Sequence, residues 1–258
     1  MSRFIVVKCG GSVIEQLTEA FFFKIHQLKS NGYQPVIVHG GGPAIKNNLD
    51  KLHIPSAFQN GLRVTPLEVL EVVEMTLAGS VNQALTRAVN KAGLQAIGLC
   101  GSDAGLLQAE ALDFECYGYV GHVTGINKQL LEKITSVGII PVIASVAIGK
   151  DNARYNINAD TAAAAIAAEL QAKQLVFVTD VPGILHDERL LETVTEEQAK
   201  TFIETGVVHG GMVPKVKAAL DSLTDNLQEV MIVDGKQLTK SKDDFFAGTI
   251  IRKTMEVV

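Results

Sequence analysis

Six short runs dense in Val and Ile, at 4–7, 35–38, 96–99, 139–144, 175–178 and 230–233, recur along the chain with no polar alternation inside them. Such runs are what strands buried on both faces look like, and a strand can be buried on both faces only if something covers each side of its sheet. The cover is visible between them. Helical apolar spacing occupies 17–30, 43–52, 66–92, 128–137, 159–169, 196–205 and 213–224. Strand–helix–strand repetition predicts an α/β chain, a three-layer αβα sandwich around a mostly parallel central sheet. Two stretches break the alternation. Residues 56–64 and 106–124 carry short strand-like pieces around Gly61, Gly118 and Gly121 and read as inserted hairpins. Ligands collect beyond the carboxyl ends of strands in such sheets, so hairpins there are placed to act as lids. The joint at 171–174, just before a fresh strand, predicts two lobes sharing one sheet, 1–173 and 174–258.

Charge narrows the partners. The 258 residues hold 23 Lys and Arg against 28 Asp and Glu, a net charge of −5 without a basic tract. That balance argues against nucleic acid or an anionic membrane surface as the partner. The longest apolar run, 138–149, is interrupted by Pro141 and is too short to span a bilayer. Met1-Ser2-Arg3 leads into four apolar residues and then Lys8, which is no signal peptide. Cys9, Cys100 and Cys116 are odd in number and lack CxxC spacing. They suit neither a disulfide framework nor a zinc site, and the expected location is the cytoplasm. The six histidines, His26, His39, His53, His122, His186 and His209, share no ligand spacing, so no protein-held metal is expected.

The common nucleotide and hydrolase motifs are absent: no GxxxxGK[ST], GxSxG or HExxH occurs, and Gly40-Gly41-Gly42 does not continue as GxGxxG because Ile occupies position 45. Glycine nevertheless gathers at strand ends. Lys8-Cys9-Gly10-Gly11-Ser12 follows the first run, and His39-Gly40-Gly41-Gly42-Pro43 closes the second and opens a helix. Bare glycine turns free backbone N–H groups to face an anion, and a neighbouring Lys adds charge. Either turn alone also reads as an ordinary strand end; two after successive strands suggest a phosphate cradle. In Asn156-Ile157-Asn158-Ala159-Asp160, alternation puts Asn156, Asn158 and Asp160 on one side, while Asn158 and Asp160 each also suit a helix N-cap. Lys215 follows Gly210-Gly211-Met212-Val213-Pro214 at the start of a helix, where the dipole disfavours a cation unless an anion is near. Arg63 stands alone in a hairpin, with the planar fork that suits a carboxylate. Asp180, in Thr179-Asp180-Val181-Pro182-Gly183-Ile184, suits either a nucleotide contact or a turn cap.

In this order the motifs resemble the amino-acid kinase family. The resemblance is carried by Lys8-x-Gly-Gly-Ser12, His39-Gly-Gly-Gly-Pro43, Asn60-Gly-Leu-Arg-Val-Thr65, Val73-Glu-Met-Thr-Leu-Ala-Gly79, Tyr155-Asn-Ile-Asn-Ala-Asp160, Thr179-Asp-Val-Pro-Gly-Ile184 and Gly210-Gly-Met-Val-Pro-Lys215. The third and fifth are most similar to those of members acting on N-acetyl-L-glutamate. The resemblance implies transfer of a phosphoryl group from MgATP to the γ-carboxylate of that substrate, giving an acyl phosphate for arginine biosynthesis. It implies that Lys8 and Lys215 neutralise the phosphoryl group and that Asp160 holds both ammonium groups. Gly41, Gly42, Arg63, Asn156 and Asn158 would bind the acceptor. Gly10, Gly11, Ser12, Gly40, Asp180, Gly183, Ile184, Leu185, Val208, His209, Gly211 and Met212 would serve phosphate and nucleotide. The lobe 1–173 would then bind acceptor and dimerise, and 174–258 would bind ATP. His209 departs from the small hydroxyl residues that often precede Gly-Gly-Met. Arginine-inhibited relatives carry an N-terminal helix that joins dimers into a ring, and this sequence enters its first strand almost at once. An arginine-insensitive homodimer, with 66–92 as a contact surface, is the expectation. A carbamate, glutamate or aspartate kinase, or a non-catalytic ATP-binding regulator, are the competing readings.

Overall fold

The alternating runs become one twisted sheet. In the computed structural model, which describes residues 3–150, 152–236, 238 and 246–254, its strand order is β14 (Thr193–Thr195), β16 (Gly248–Arg252), β15 (Glu229–Asp234), β11 (Gln174–Thr179), β1 (Phe4–Cys9), β2 (Gln34–His39), β8 (Ile140–Ala144) and β5 (Ala96–Leu99). Met1 and Ser2 of the leader reading lie outside the described residues. All neighbours are parallel except β15 with β16. The mostly parallel three-layer expectation is met. Edge strand β14 and its neighbour β16 were not legible in the sequence, because β14 has only three residues and β16 offers only the aliphatic pair Ile250–Ile251 between Thr249 and Arg252.

Successive side chains of a strand point to opposite faces, and the core divides accordingly. Phe4 and Val6 of β1 join Val36 and Val38 under α7 (Ala159–Glu169) and α9 (Met212–Ser222). Ile5, Val7 and Cys9 join Ile37 on the other face, under α1 (Glu19–Ser30) and α4 (Asn82–Lys91), with Phe21, Ile25, Leu85 and Val89. The alanines at 162, 163 and 167 are all fully buried, and their small size lets α7 sit close on β1. Burial on this scale, roughly 1.5–3 kcal/mol per large apolar side chain, is what holds both helical layers down.

The predicted helix over 66–92 is three pieces: α3 (Leu67–Glu74), a π-helical turn at Met75–Val81, and α4. Both hairpins are present. The first pairs β3 (Phe58–Gln59) with β4 (Leu62–Arg63). The second pairs β6 (Leu107–Ala111) with β7 (Gly121–Ile126), but it is no free lid. It joins β9 (Val146–Ile148) and β10 (Arg154–Asn156) in a four-stranded sheet, order β10-β9-β6-β7. The remaining helices are α2 (Gly42–Lys51), α5 (Phe114–Tyr117), α6 (Lys128–Ser136) and α8 (Glu196–Glu204), and β12 (Leu185–His186) pairs with β13 (Arg189–Leu190).

Candidate active site

The register sets the site. Cys9 lies opposite His39 and Lys8 opposite Phe177, so the turns leaving β1, β2 and β11 emerge side by side at the carboxyl end of the sheet. From β1 the order runs outward through β2 on one side and β11 on the other, the crevice where such sheets bind ligands. The two glycine turns touch: a Cβ on Gly11 would come within 2.8 Å of the Gly42 nitrogen and 3.0 Å of Gly41 Cα. Only glycine permits that approach. The Gly10 N–H is already given to Val178 O at 3.1 Å and the Gly40 N–H to Cys9 O at 3.4 Å. Gly11 and Gly42, the latter in the first turn of α2, keep amides with no acceptor among the described residues.

Two cavities meet across this pair of turns. One, of ≈230 Å³, is walled by Gly40, Gly41, Gly42, Arg63, Asn156 and Asn158. The other, of ≈350 Å³, holds Gly10, Ser12, Thr179, Asp180 and Lys215. Lys8, Gly11, Gly42 and Asp160 border both. A wider groove of ≈740 Å³ lies at the opposite end of the strands, beside Arg3, Tyr33 and Lys173, away from the turns at Gly10–Gly11 and Gly40–Gly42.

Lys8 Nζ sits 2.6 Å from Asp160 Oδ1 and 5.7 Å from the centre of the Phe177 ring, with 12% of its side chain exposed. Asn158 resolves the capping ambiguity: its Oδ1 accepts from the N–H of Asp160 at 2.8 Å and of Thr161 at 3.3 Å, making it the N-cap of α7. Asp160, thus relieved of capping, reaches Lys8. It does not hold the second ammonium group. Lys215 Nζ instead pairs with Asp180 Oδ1 at 2.5 Å, and that hydrogen bond holds the Asp180 carboxyl below its usual range. The partner also answers the dipole conflict, since Asp180 supplies an anion at the start of α9.

Arg63 is nearly buried, on the face of Phe58 at 4.6 Å. Its guanidinium donates to Ser56 Oγ and, at 3.3 Å, to Gly42 O. Desolvation lowers its pKa, and the Asp50 carboxylate opposes that shift. Thr65, fully buried, ties the two acceptor-side groups together: its hydroxyl donates to Arg63 O at 2.7 Å and accepts from Asn156 Nδ2 at 3.1 Å. In the sequence Thr65 stands in the Asn60–Thr65 motif with no role marked by its type or spacing. Asn82 is a further polar residue of the region, marked in the sequence only by its place in line with Leu85 and Val89 on an apolar helix face.

The distal nucleotide expectations fall outside both cavities. Ile184 and Val208 are core residues, their N–H groups bonded to Thr249 Oγ1 and Phe202 O. Leu185 is exposed on β12, and Gly183 packs so tightly that a Cβ would meet Thr249 Oγ1 at 2.5 Å. His209 is exposed, its Nδ1 3.2 Å from Val207 O, while Gly211 and Met212 open α9. These residues flank the Lys215 cleft without lining it.

A model of the amino acid kinase family matches residues 3–234. This chain belongs to that family. Among similar relatives, the acetylglutamate kinase of Geobacillus kaustophilus (strain HTA426) is 50% identical over 257 residues, covering 100% of this chain and 99% of the relative. That of Bacillus subtilis (strain 168) is 44% identical over 258 residues and the whole of both chains. The crystal structure of smu.665 from Streptococcus mutans UA159 superposes with a TM-score of 0.85 at 34% identity, covering 98% of this chain and 99% of that one.

Proposed function

We propose that this chain transfers the γ-phosphoryl group of ATP to the γ-carboxylate of N-acetyl-L-glutamate, the acyl-phosphate-forming step of arginine biosynthesis. The observation that carries the chemistry is Lys8, paired with Asp160 at the border of two cavities, one bearing Lys215 and the other Arg63 and Asn156. The full-length similarity to acetylglutamate kinases selects the acceptor. The attacking carboxylate, with a pKa of about 4.3, is already ionised at neutral pH. No general base is required, which suits a cleft furnished with lysines and glycine amides. The chain's task is to bring two anions into line and to stabilise charge on the transferred oxygens.

In this reading Lys8 faces the phosphoryl group from the acceptor side and Lys215 from the nucleotide side, with Asp160 and Asp180 as their respective holders. The amides of Gly11, Gly41 and Gly42 receive the phosphoryl and carboxylate oxygens, and Ser12 and Gly10 shape the turn beneath them. Arg63 and Asn156 take the α-carboxylate. The lobe 1–173 binds the acceptor and 174–258 the nucleotide, with the turns at 183–185 and 208–212 framing the ATP site. Mg²⁺ enters as MgATP. Asp160 and Asp180 are each engaged by a lysine, so the metal is held chiefly by the phosphates it accompanies. Arg63→Ala is expected to raise the KM for N-acetyl-L-glutamate by about 10–100-fold while leaving the KM for MgATP nearly unchanged, in line with loss of a charged hydrogen-bond partner. Initial-rate kinetics in both substrates check this, and an unaltered acceptor KM would remove Arg63 from the site.

The reading extends to a cytoplasmic homodimer. No helix among the described residues is long and apolar enough to cross a membrane, and all three cysteines are free thiols, as a reducing compartment maintains them. Leu67 and Met75 stand about half exposed along α3 and the π turn, apolar surface suited to a second copy. Sedimentation equilibrium is expected to give twice the 27.6 kDa chain mass, and Met75→Glu to shift it toward one. A monomer or hexamer in the unmodified protein would contradict the dimer.

A further inference from the structure

His39 ends β2 immediately before the glycine turn, is wholly buried, and has no part in the phosphoryl transfer as described. Its ring makes two hydrogen bonds. Nε2 lies 3.0 Å from Asn82 Nδ2, and Nδ1 lies 3.0 Å from Gly40 O. Chemistry settles which atom carries the proton. Asn82 is 1% exposed, and its amide faces Val142 O at 2.8 Å and Leu99 O at 3.4 Å. Carbonyl oxygens accept, so the Asn82 atom facing them is the NH₂ group, and its other hydrogen goes to His39 Nε2. That nitrogen is therefore the unprotonated one, and the proton of the neutral ring sits on Nδ1, donated to Gly40 O. Burial supports the neutral form, pushing the His39 pKa down to about 4.

The consequence reaches the cleft through peptide geometry. Gly40 C=O and Gly41 N–H belong to one planar trans peptide and point in opposite directions. Holding the carbonyl inward on the buried imidazole turns the Gly41 N–H outward, toward the cavity that Gly41 walls. Glycine would otherwise let this peptide rotate with little resistance. The π turn closes the remaining freedom, since a Cβ on Gly41 would meet Leu77 Cδ2 at 2.7 Å and Val81 Cγ2 at 3.4 Å. Asn82, directly after that turn, fits against β5 because Gly98 makes room for it: a Cβ there would lie 2.0 Å from Asn82 Oδ1. We infer that Asn82 and His39 are positioning residues that act in series to fix the Gly40–Gly41 peptide and aim its N–H at the group being transferred. This rests on the phosphotransfer reading given above.

The two amide replacements of histidine separate positioning from packing. Asn places its amide nitrogen near the position of Nδ1 and retains a donor for Gly40 O; Gln places its amide near Nε2 and retains only the Asn82 side. His39→Gln is expected to lower kcat about 10²-fold, the scale of losing one aimed donor, whereas His39→Asn stays within about tenfold of the unmodified enzyme. KM for MgATP is expected to hold within about twofold in both, since donors that act in the transition state leave ground-state binding alone. Asn82→Ala is expected to lower kcat at constant KM for MgATP, and the double variant His39→Gln/Asn82→Ala to be no slower than His39→Gln, because residues in series are not additive. Turnover in His39→Gln equal to or above His39→Asn would overturn the proposal. So would multiplying losses in the double variant, or unchanged kcat in Asn82→Ala. The unmodified chain is assayed first with a panel of carboxylate and carbamate acceptors. Absence of any transfer there removes the phosphotransfer reading and this one with it, while a competent enzyme with the wrong order of variants removes this one alone.

Discussion

Lys8→Ala is expected to reduce kcat by about 10²–10³-fold, the range for removing one charge-stabilising donor, with a much smaller change in either KM. The ammonium group is held, not mobile: Asp160 takes it at 2.6 Å and only 12% of the side chain reaches solvent. A preorganised cation in a largely dehydrated position acts most strongly on charge that develops as the phosphoryl group moves, so its loss appears in kcat. Truncation also leaves Asp160 as an uncompensated anion facing two anionic substrates. Lys8→Arg is not expected to restore the rate, because a planar guanidinium cannot occupy the compact place of an ammonium between Asp160 and Phe177. Steady-state kinetics in both substrates decide it. Near-normal turnover in Lys8→Ala would sink the assignment of the site.

Lys215→Ala is expected to cost about as much, roughly 10²–10³-fold in kcat. Its setting differs in a way that can be measured. Lys215 is carried on the first turn of α9, where the helix dipole works against a cation, and Asp180 compensates. Without Lys215, Asp180 regains an ordinary carboxyl environment and its negative charge opposes the phosphates of ATP. The KM for MgATP is therefore expected to rise more in Lys215→Ala, where Asp180 borders the nucleotide-side cavity alone, than in Lys8→Ala, where Asp160 is shared by both cavities. The double variant Lys215→Ala/Asp180→Asn is expected to recover that KM but not the rate. Recovery of rate as well would mean that Lys215 serves only to neutralise Asp180.

Most of the central sheet was legible because strands buried on both faces must be apolar throughout, and 4–7, 35–38 and 175–178 say so directly. β9 was hidden because Val146–Ile148 continues the apolar run of β8 across Ser145, and periodicity has no mark for a change of sheet. The π turn at Met75–Val81 was invisible for a related reason: one extra residue per turn leaves an apolar helical pattern intact over so short a span. In the site, Lys8, Gly11, Gly42, Arg63, Asn156 and Asp160 stood in motifs; the parallel register of β1 and β2 brought the two glycine turns together, and Arg63 on β4, Asn156 on β10 and Asp160 on α7 complete the lining. What the motifs did not carry was pairing. That Lys215 chooses Asp180 over Asp160, or that Asn82 reaches His39 across 43 positions, depends on which helix lies over which strand.

The most direct test of the central claim is acyl-phosphate formation trapped as hydroxamate, with MgATP and N-acetyl-L-glutamate, glutamate, aspartate and carbamate compared side by side. Strong preference for N-acetyl-L-glutamate is expected. Equal or better turnover with another acceptor would contradict the roles given to Arg63 and Asn156, and ATP binding without transfer to any acceptor would contradict the enzyme itself.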